Sequence, residues 1–557
     1  MSNPPVPTGS SDTELLKSVA HRSLPERLPV YLRLSGPGWL QSAITLGGGS
    51  LAGSLHLGVI GGFGLLWLQP LAMLMGIVML SAIGYVTMAT GKRPLEAINE
   101  HVNPVLGCGW AVASLLASMV WAMPQYSLSI GVLQQNLLPG VLGAEGTLGG
   151  FRGKLAPTVL ILAFSTYLTW SYGRGGRGVK IYEATLKLMV ALIVLCFAGV
   201  ALRLSFAPAG LDWGAVLGGF VPDFSVLWQP AKAFRPLIAA TDQAHHAYWT
   251  GFLVAKQRDI IATAAATAVG INMTFLFPYS ILRRGWGREF AGLLRFDLAT
   301  GMLIPFTLAT SFVVIAAATQ FHTVAQPGLL PEGEVAALTA KAGAGQMREF
   351  NSLLAGIESS AGAGGATVTI TAADRQLAAT LVNRDAYNLA AALAPPTGPF
   401  VGNIIFGFGV LGMTLSTITI LMLISGQVVC AIFRQEQTGW TFRLGSLAAA
   451  TGALGPFIWS QAAFYLAVPT SVFALILLPI AYISFLLLLN QRKLLGDALP
   501  RGGSRIAWNL LMGATVIVVT GASAFMLVAK GGTKGVIAAS AFLLAAVVAH
   551  FLRRRPA

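Results

Sequence analysis

The sequence predicts an all-α polytopic membrane protein of about twelve spanning helices, and three observations carry that prediction. The chain of 557 residues is 55% hydrophobic and only 10% charged, and apolar windows long enough to cross about 30 Å of hydrocarbon recur along it. Its basic residues fall in short clusters between those windows. The first window is interrupted by "TLGGGSLAGS", Thr45 to Ser54. Three consecutive glycines there cost a helix interior about 1 kcal/mol each relative to alanine, and Ser50 offers a fresh N-cap.

Residues 1–34 are polar, proline-bearing and mildly basic, with no hydrophobic region followed by a small-residue cleavage site. They read as a disordered cytoplasmic tail rather than a cleavable signal. Hydropathy against turn signals places spans near 35–60, 63–90, 107–136, 155–173, 182–206, 259–282, 299–321, 400–433, 442–459, 462–489, 506–529 and 534–552. With the N-terminus inside, Lys92/Arg93, Arg174/Arg177/Lys180, Arg283/Arg284/Arg288, Arg492/Lys493 and Arg553–Arg555 all fall on the cytoplasmic side, as positive-inside topology requires. A net charge of +15 is therefore a matter of topology, and nucleic acid is excluded as a partner.

The segment 236–255 is apolar but carries Asp242, Gln243, His245 and His246 at its centre, and inserting it would move Arg553–Arg555 outside. It reads as part of an external loop or lid over 223–258, with the histidines solvated. The stretch 322–399, rich in Ala, Gly and Thr, reads as a second external excursion with partial helix or hairpin. Cys108, Cys196 and Cys430 lie in apolar segments at unrelated spacings and read as core fillers.

In hydrocarbon every backbone N–H and C=O needs a partner, so a broken spanning helix persists only where its unwound residues line a cavity or bind something. Transporters built from inverted repeats carry two such breaks, in corresponding spans of each half. The sixth span supplies the partner: in Ala266 to Ser280, Gly270 and Asn272 interrupt an alanine-rich helix. The ordinary alternative is that these glycines merely allow close helix packing.

Residues 35–67 resemble, without a gap, the first span of the Nramp family of divalent metal transporters, through Gly36-Pro37, Gly49, Ala52, Gly58 and Gly64–Trp67. The similarity continues in Gly91-Lys92, Glu183, Phe296-Asp297, Ser416–Gln427 and Ser460–Pro469, and covers nearly the whole chain except the two external insertions. It implies a LeuT-like inverted repeat of five plus five helices with two further C-terminal helices. The chain then divides into the tail 1–34, a first repeat 35–206, an external loop 207–258, a second repeat 259–489 containing the insertion 322–399, and a C-terminal part 490–557. With the topology set by the basic clusters, the expectation is an integral membrane protein with both termini cytoplasmic, in the plasma (inner) membrane of a bacterium.

The departures from that family concern the site. Where the family has Asp-Pro-Gly-Asn, with Asp and Asn as metal ligands, this chain has Gly47-Gly48-Gly49-Ser50. Where the sixth span of the family has Met-Pro-His, this chain offers Asn272-Met273-Thr274, aligned to within one residue. The acidic positions of the third span correspond to Trp121 and Pro124, with Gln125 beside them. The implied substrate site is Ser50, Asn272, Met273 and Thr274 with the main chain of Leu46, Gly47, Gly48, Gly49, Val269 and Gly270, and Trp121, Gln125 and Gln461 are candidate cavity walls. The half-helix N-termini, expected at Ser50–Gly53 and Thr274–Leu276, present N–H groups and the positive end of the helix dipole.

Such a site has no fixed negative charge, whereas Mn²⁺ and Fe²⁺ sites use carboxylate, imidazole or soft sulfur. It suits a hydrated or monovalent ion, or a small polar or zwitterionic solute. The expected function is secondary transport on an Nramp-like scaffold without the usual proton coupling. The alternatives are an organic-solute transporter and a transport-dead receptor or sensor. The expected partners are the bilayer and a small ion or solute, with no cofactor, and no enzyme motif is present: neither a Walker loop after a strand nor a Gly-x-Ser-x-Gly elbow occurs.

Overall fold

The computed structural model describes residues 9–19, 21–173, 177–208, 210–330, 344–361, 369–458 and 467–553. Among them there is no strand. Eight helical stretches are long and apolar enough to cross a membrane, and a ninth is formed when the bent pair at the first span counts as one. One of the eight, Gly502–Leu552, holds two helices, Gly502–Met526 and Gly532–Arg553. The reversal between them uses Gly532 at φ +54, a conformation glycine adopts without strain.

The helices follow the order the hydropathy predicts. Span two, Leu68–Thr90, stops at Gly91 in the left-handed conformation, whose N–H bonds the Thr87 carbonyl. Span three, Pro104–Val132, starts at Asn103, whose side chain accepts from the N–H groups of Val105 and Leu106. The carboxamide of Asn103 also donates to the Ala546 carbonyl at 2.7 Å, tying the last helix to this one. Span four is Phe151–Gly173, span five Arg177–Ser205, span eight Phe406–Ile432 and span ten Ala467–Leu489.

The expected span 442–459 is not one helix. It is a chain of short pieces, Gly439–Ser446, Ala449–Leu454 and Gly455–Ile458. Its glycines explain this: they let the segment lie directly on span three, where a methyl at Gly452 would meet Ala122 at 2.4 Å and one at Gly455 the Met123 carbonyl at 2.5 Å.

Three further expectations are corrected. The segment read as a disordered tail holds two helices, Gly9–Val19 and Leu24–Leu34. Glu26 closes a capping box with Ser23, and Tyr31 meets Phe296 edge-on at 5.3 Å, so local capping and tertiary contact outweigh a polar composition. The segment 223–258 is not loop throughout, because span six begins at His246, not near 259, and runs as one helix to Ala268. The insertion 322–399 contains three helices, Ala344–Ala361, Ala372–Leu381 and Ala386–Thr397, and no hairpin among its described residues.

Spans one and seven make close backbone contact. Gly58 brings the second half of span one against span seven so tightly that a methyl there would lie 2.5 Å from the Val314 carbonyl, whereas Gly64 has no neighbour within 4 Å. Gly58→Ala should therefore lose about 1–3 kcal/mol of stability through overpacking, while Gly64→Ala should be neutral. Thermal unfolding of the two variants in lipid nanodiscs measures the difference.

Candidate functional site

Both expected breaks are present. Span one is a helix Pro37–Thr45 and a second helix Gly48–Gly61, set 56° apart. The chain between them is extended at Gly47 (φ −114, ψ −179). Span six breaks after Ala268, where Val269 (φ −142, ψ 106) and Gly270 (φ −80, ψ 160) are extended before a second helix, Ile271–Arg284. Both second halves start earlier than expected, at Gly48 and Ile271 rather than near Ser50 and Thr274. Ser50 is inside its helix and does not cap it; its hydroxyl donates backwards to the Thr45 carbonyl.

The first break is closed by three neighbouring elements. The Gly48 N–H, at the positive end of its half-helix, donates to Oε1 of Gln125 on span three at 2.8 Å. The carbonyls that end the first half are met from span eight: Ser416 donates to Ala43 at 2.8 Å, and Thr417 lies 3.4 Å from the carbonyls of Ala43 and Ile44. From span six, Met273 Sδ accepts from the Thr45 hydroxyl at 3.5 Å and from its own break's Gly270 N–H at 3.3 Å. Met273 thus stands at the junction of the two breaks. Asn272 is nearly buried, and its Oδ1 accepts from the Met273 N–H at 2.9 Å.

Thr274 belongs elsewhere, since its hydroxyl accepts from Trp110 Nε1 at 2.7 Å in the packing between spans three and six. The carbonyl of Gly47, expected to be free for a ligand, is committed to the Leu51 N–H. Those of Leu46 and Val269 accept from no described donor. Gln461 lies outside the described residues.

The glycines are required by volume. A methyl at Gly47 would lie 2.4 Å from Thr417 Oγ1, one at Gly48 2.4 Å from Leu128, and one at Gly49 2.4 Å from the Trp121 ring. The Trp121 ring thus lies against Gly49, and Gln125 lies beside Gly48 and accepts from its N–H. Nε1 of Trp121 and Nε2 of Gln125 are buried without a partner. Buried polar atoms left unpaired at the break are the kind of group a bound solute or water satisfies. Among the described residues no carboxylate bonds to either break.

One set of fixed charges sits at the Arg283/Arg284 end of the bundle. Asp297, fully buried, accepts from the N–H groups of Gly36 at 3.1 Å and Gly38 at 2.6 Å, capping the first half of span one from the start of span seven. A methyl at Gly38 would fall 2.3 Å from the Asp297 carbonyl. Arg284 pairs with Glu183 at 2.5 Å and donates to the Leu34 carbonyl at 2.6 Å, while Lys187 donates to the Ser35 carbonyl at 2.9 Å. Asp297 thus caps a different span from its own.

The profile of the family described as "Natural resistance-associated macrophage protein-like" (Nramp) matches residues 38–363 and 355–529. The chain belongs to the Nramp family. Among its relatives is the divalent metal cation transporter MntH of Agrobacterium fabrum, 25% identical over 308 residues, which are 55% of this chain and 57% of that protein. The metal transporter Nramp2 of Oryza sativa subsp. japonica is 29% identical over 170 residues, 30% of this chain and 29% of that one. The chain thus spans little more than half the length of the first relative and less than a third of the second. In fold it is similar to the manganese transporter of Eremococcus coleocola solved with an aromatic bis-isothiourea compound, with a TM-score of 0.62 at 14% identity, covering 99% of this chain and 96% of that one. The protein is accordingly an integral membrane protein with a LeuT-like all-α fold, as the resemblance implies.

Sequence reasoning missed Ser416 and Thr417 as partners of the break, because span eight carries further buried hydroxyls, Thr414, Thr419 and Ser425, and nothing local singles out these two. It also gave Gln125 only a wall position. Gln125→Leu leaves the Gly48 N–H buried without an acceptor and should lower stability by about 1–3 kcal/mol, whereas Gln125→Glu keeps the acceptor and should lose less. Thermal unfolding of both variants checks the order.

Proposed function

We propose that the chain is a secondary transporter of the Nramp family in which the substrate path crosses the junction of the two breaks. The substrate is a divalent metal cation that keeps part of its hydration shell. The carrying observation is the neutrality of that junction. Gln125, Met273, Asn272, Thr45, Ser416 and Thr417 surround it, all uncharged, with the free carbonyls of Leu46 and Val269. A bare ion moved into low dielectric loses on the order of 20 kcal/mol by idealised Born transfer, and such a set does not replace a carboxylate in offsetting that. Retained water does. Support for a metal cation comes from the relatives, which are named as divalent metal cation and metal transporters.

Proton coupling of the usual kind has no carrier here, because Trp121 and Pro124 stand at the family's acidic positions in span three. Transport then runs down the substrate's own gradient or with another ion, by movement of the half-helices about their breaks.

One observation favours a second reading, transport of a small zwitterionic solute. The Gly48 N–H at a half-helix N-terminus holds the Gln125 oxygen, which a substrate carboxylate could replace, while the carbonyls of Leu46 and Val269 would take an ammonium. Flux into proteoliposomes separates the readings: divalent-metal quenching of a trapped fluorophore supports the first, amino-acid counterflow the second. Silence with both refutes transport.

Restoring the family's acid at Gly47 needs room beside Thr417. Gly47→Asp combined with Thr417→Ala should tighten Mn²⁺ binding at least about tenfold over the parent, a difference of roughly 1.4 kcal/mol, and Gly47→Asp alone should fail. Calorimetric titration with Mn²⁺ reads both.

A further inference from the structure

The insertion between spans seven and eight is joined to the rest of the molecule by buried polar contacts that the transport site does not use. Asp374, fully buried in the helix Ala372–Leu381, accepts from Trp249 Nε1 at 2.8 Å and lies 3.0 Å from His245 Nδ1. Both partners are buried at the start of span six. The same carboxylate closes the cap of its own helix, accepting from the Thr371 N–H at 2.9 Å and hydroxyl at 2.6 Å. Next along span six, Tyr248 donates to the Leu353 carbonyl at 2.9 Å, and Lys256 bonds the Leu381 carbonyl and pairs with Glu349 at 3.5 Å.

A second anchor is Arg384, 2% exposed, which donates to the Val324 carbonyl at 2.8 Å and to Gln326 just beyond span seven. The second half of span one packs against the helix Ala386–Thr397, and near its far end the Val59 carbonyl lies 3.0 Å from Nδ1 of His322, where the insertion begins. On the far side, Arg203 at the end of span five reaches the Thr397 carbonyl at 3.5 Å.

These contacts fall on the two helices that the breaks leave able to swing. The second half of span one and the first half of span six cross where Gly53 lies against Ala264, a methyl at Gly53 falling 3.3 Å from the Ala264 Cα. At their ends remote from the breaks both are tied to the insertion. An insertion with no part in movement could rest on spans seven and eight alone. Burial works against ionisation of Asp374, but the hydrogen bonds from Thr371, Trp249 and His245 outweigh it and hold the carboxyl below the usual carboxylate range. A buried charge that loses its partner is strongly unfavourable until water reaches it, so such an anchor is either wholly made or wholly released.

We propose that the helices Ala344–Ala361, Ala372–Leu381 and Ala386–Thr397 are a clamp. They hold the second half of span one against the first half of span six, and the path opens at that end only when the Asp374 and Arg384 anchors let go. Its consequence for flux rests on the transport reading, whereas the tie between the half-helices does not.

Hydrogen exchange on the full-length protein in lipid nanodiscs, without any substrate, tests the tie. Asp374→Asn and Trp249→Phe should each raise exchange of amides in Gly48–Gly61 and His246–Ala268 about tenfold, with Phe406–Ile432 unchanged. If only 344–397 exchanges faster while both half-helices keep the parent rate, the clamp is refuted. Should Asp374→Asn fail to fold, Trp249→Phe, which leaves the carboxylate and its cap intact, gives the same comparison. Mn²⁺ flux on the same variants separates the two readings: faster exchange with no flux even in the parent sinks transport and leaves the clamp standing.

Discussion

A backbone group that leaves a helix inside hydrocarbon must be satisfied by something other than water, and the arrangement around spans one and six follows from that requirement. Two breaks release carbonyls and N–H groups near the middle of the bundle. Gln125 comes from span three and Ser416 and Thr417 from span eight, each to meet an orphaned group of the first break, while Met273 accepts from the Gly270 N–H of its own break. The first and second halves of the chain are thereby stitched together at one place. That place is also where the chain is least committed to its own hydrogen bonds, with the Leu46 and Val269 carbonyls and the Gln125 and Trp121 N–H groups left over.

Volume and charge point the same way at this junction. Three glycines admit Thr417, Leu128 and Trp121 where side chains would otherwise project, so the aromatic ring of span three and the missing carboxylate of span one are two aspects of one packing solution. The charges occur at a span end instead. There Asp297 caps the first half of span one and Arg284 pairs with Glu183, while Arg283 donates to the Tyr172 carbonyl and lies 4.1 Å from the Tyr172 ring centroid. The arginines that sequence reading treats as topology markers therefore also fasten spans four, five and six and the start of span one together. At a span end a charge finds backbone N–H and C=O groups of helix termini and oppositely charged partners, which the middle of the bundle denies it.

The insertion repeats this logic at the other end. Its anchors, Asp374 and Arg384, are buried yet paired, and they reach span six and the end of span seven rather than their sequence neighbours alone. The sequence marks the segment only by its Ala, Gly and Thr content and scattered charges. Nothing local indicates that His245, apparently a solvated loop residue, would find its carboxylate partner 129 positions away.

What the sequence determined by itself was whatever depends on short-range pattern. The apolar windows set the helices, Gly91 and Asn103 their limits, and the triple glycine and Gly270 the two interruptions, because each reflects a local propensity or a hydrophobic run that no distant contact overrides. Tertiary structure decided which groups meet. It moved the half-helix starts back by two residues in span one and three in span six, turned Ser50 towards Thr45, gave Thr274 to Trp110 and Met273 to the junction, and drew span nine out into fragments along span three. Those outcomes depend on which orphaned backbone group lies within reach of which side chain, a distance relation between residues far apart in the chain that no local pattern encodes.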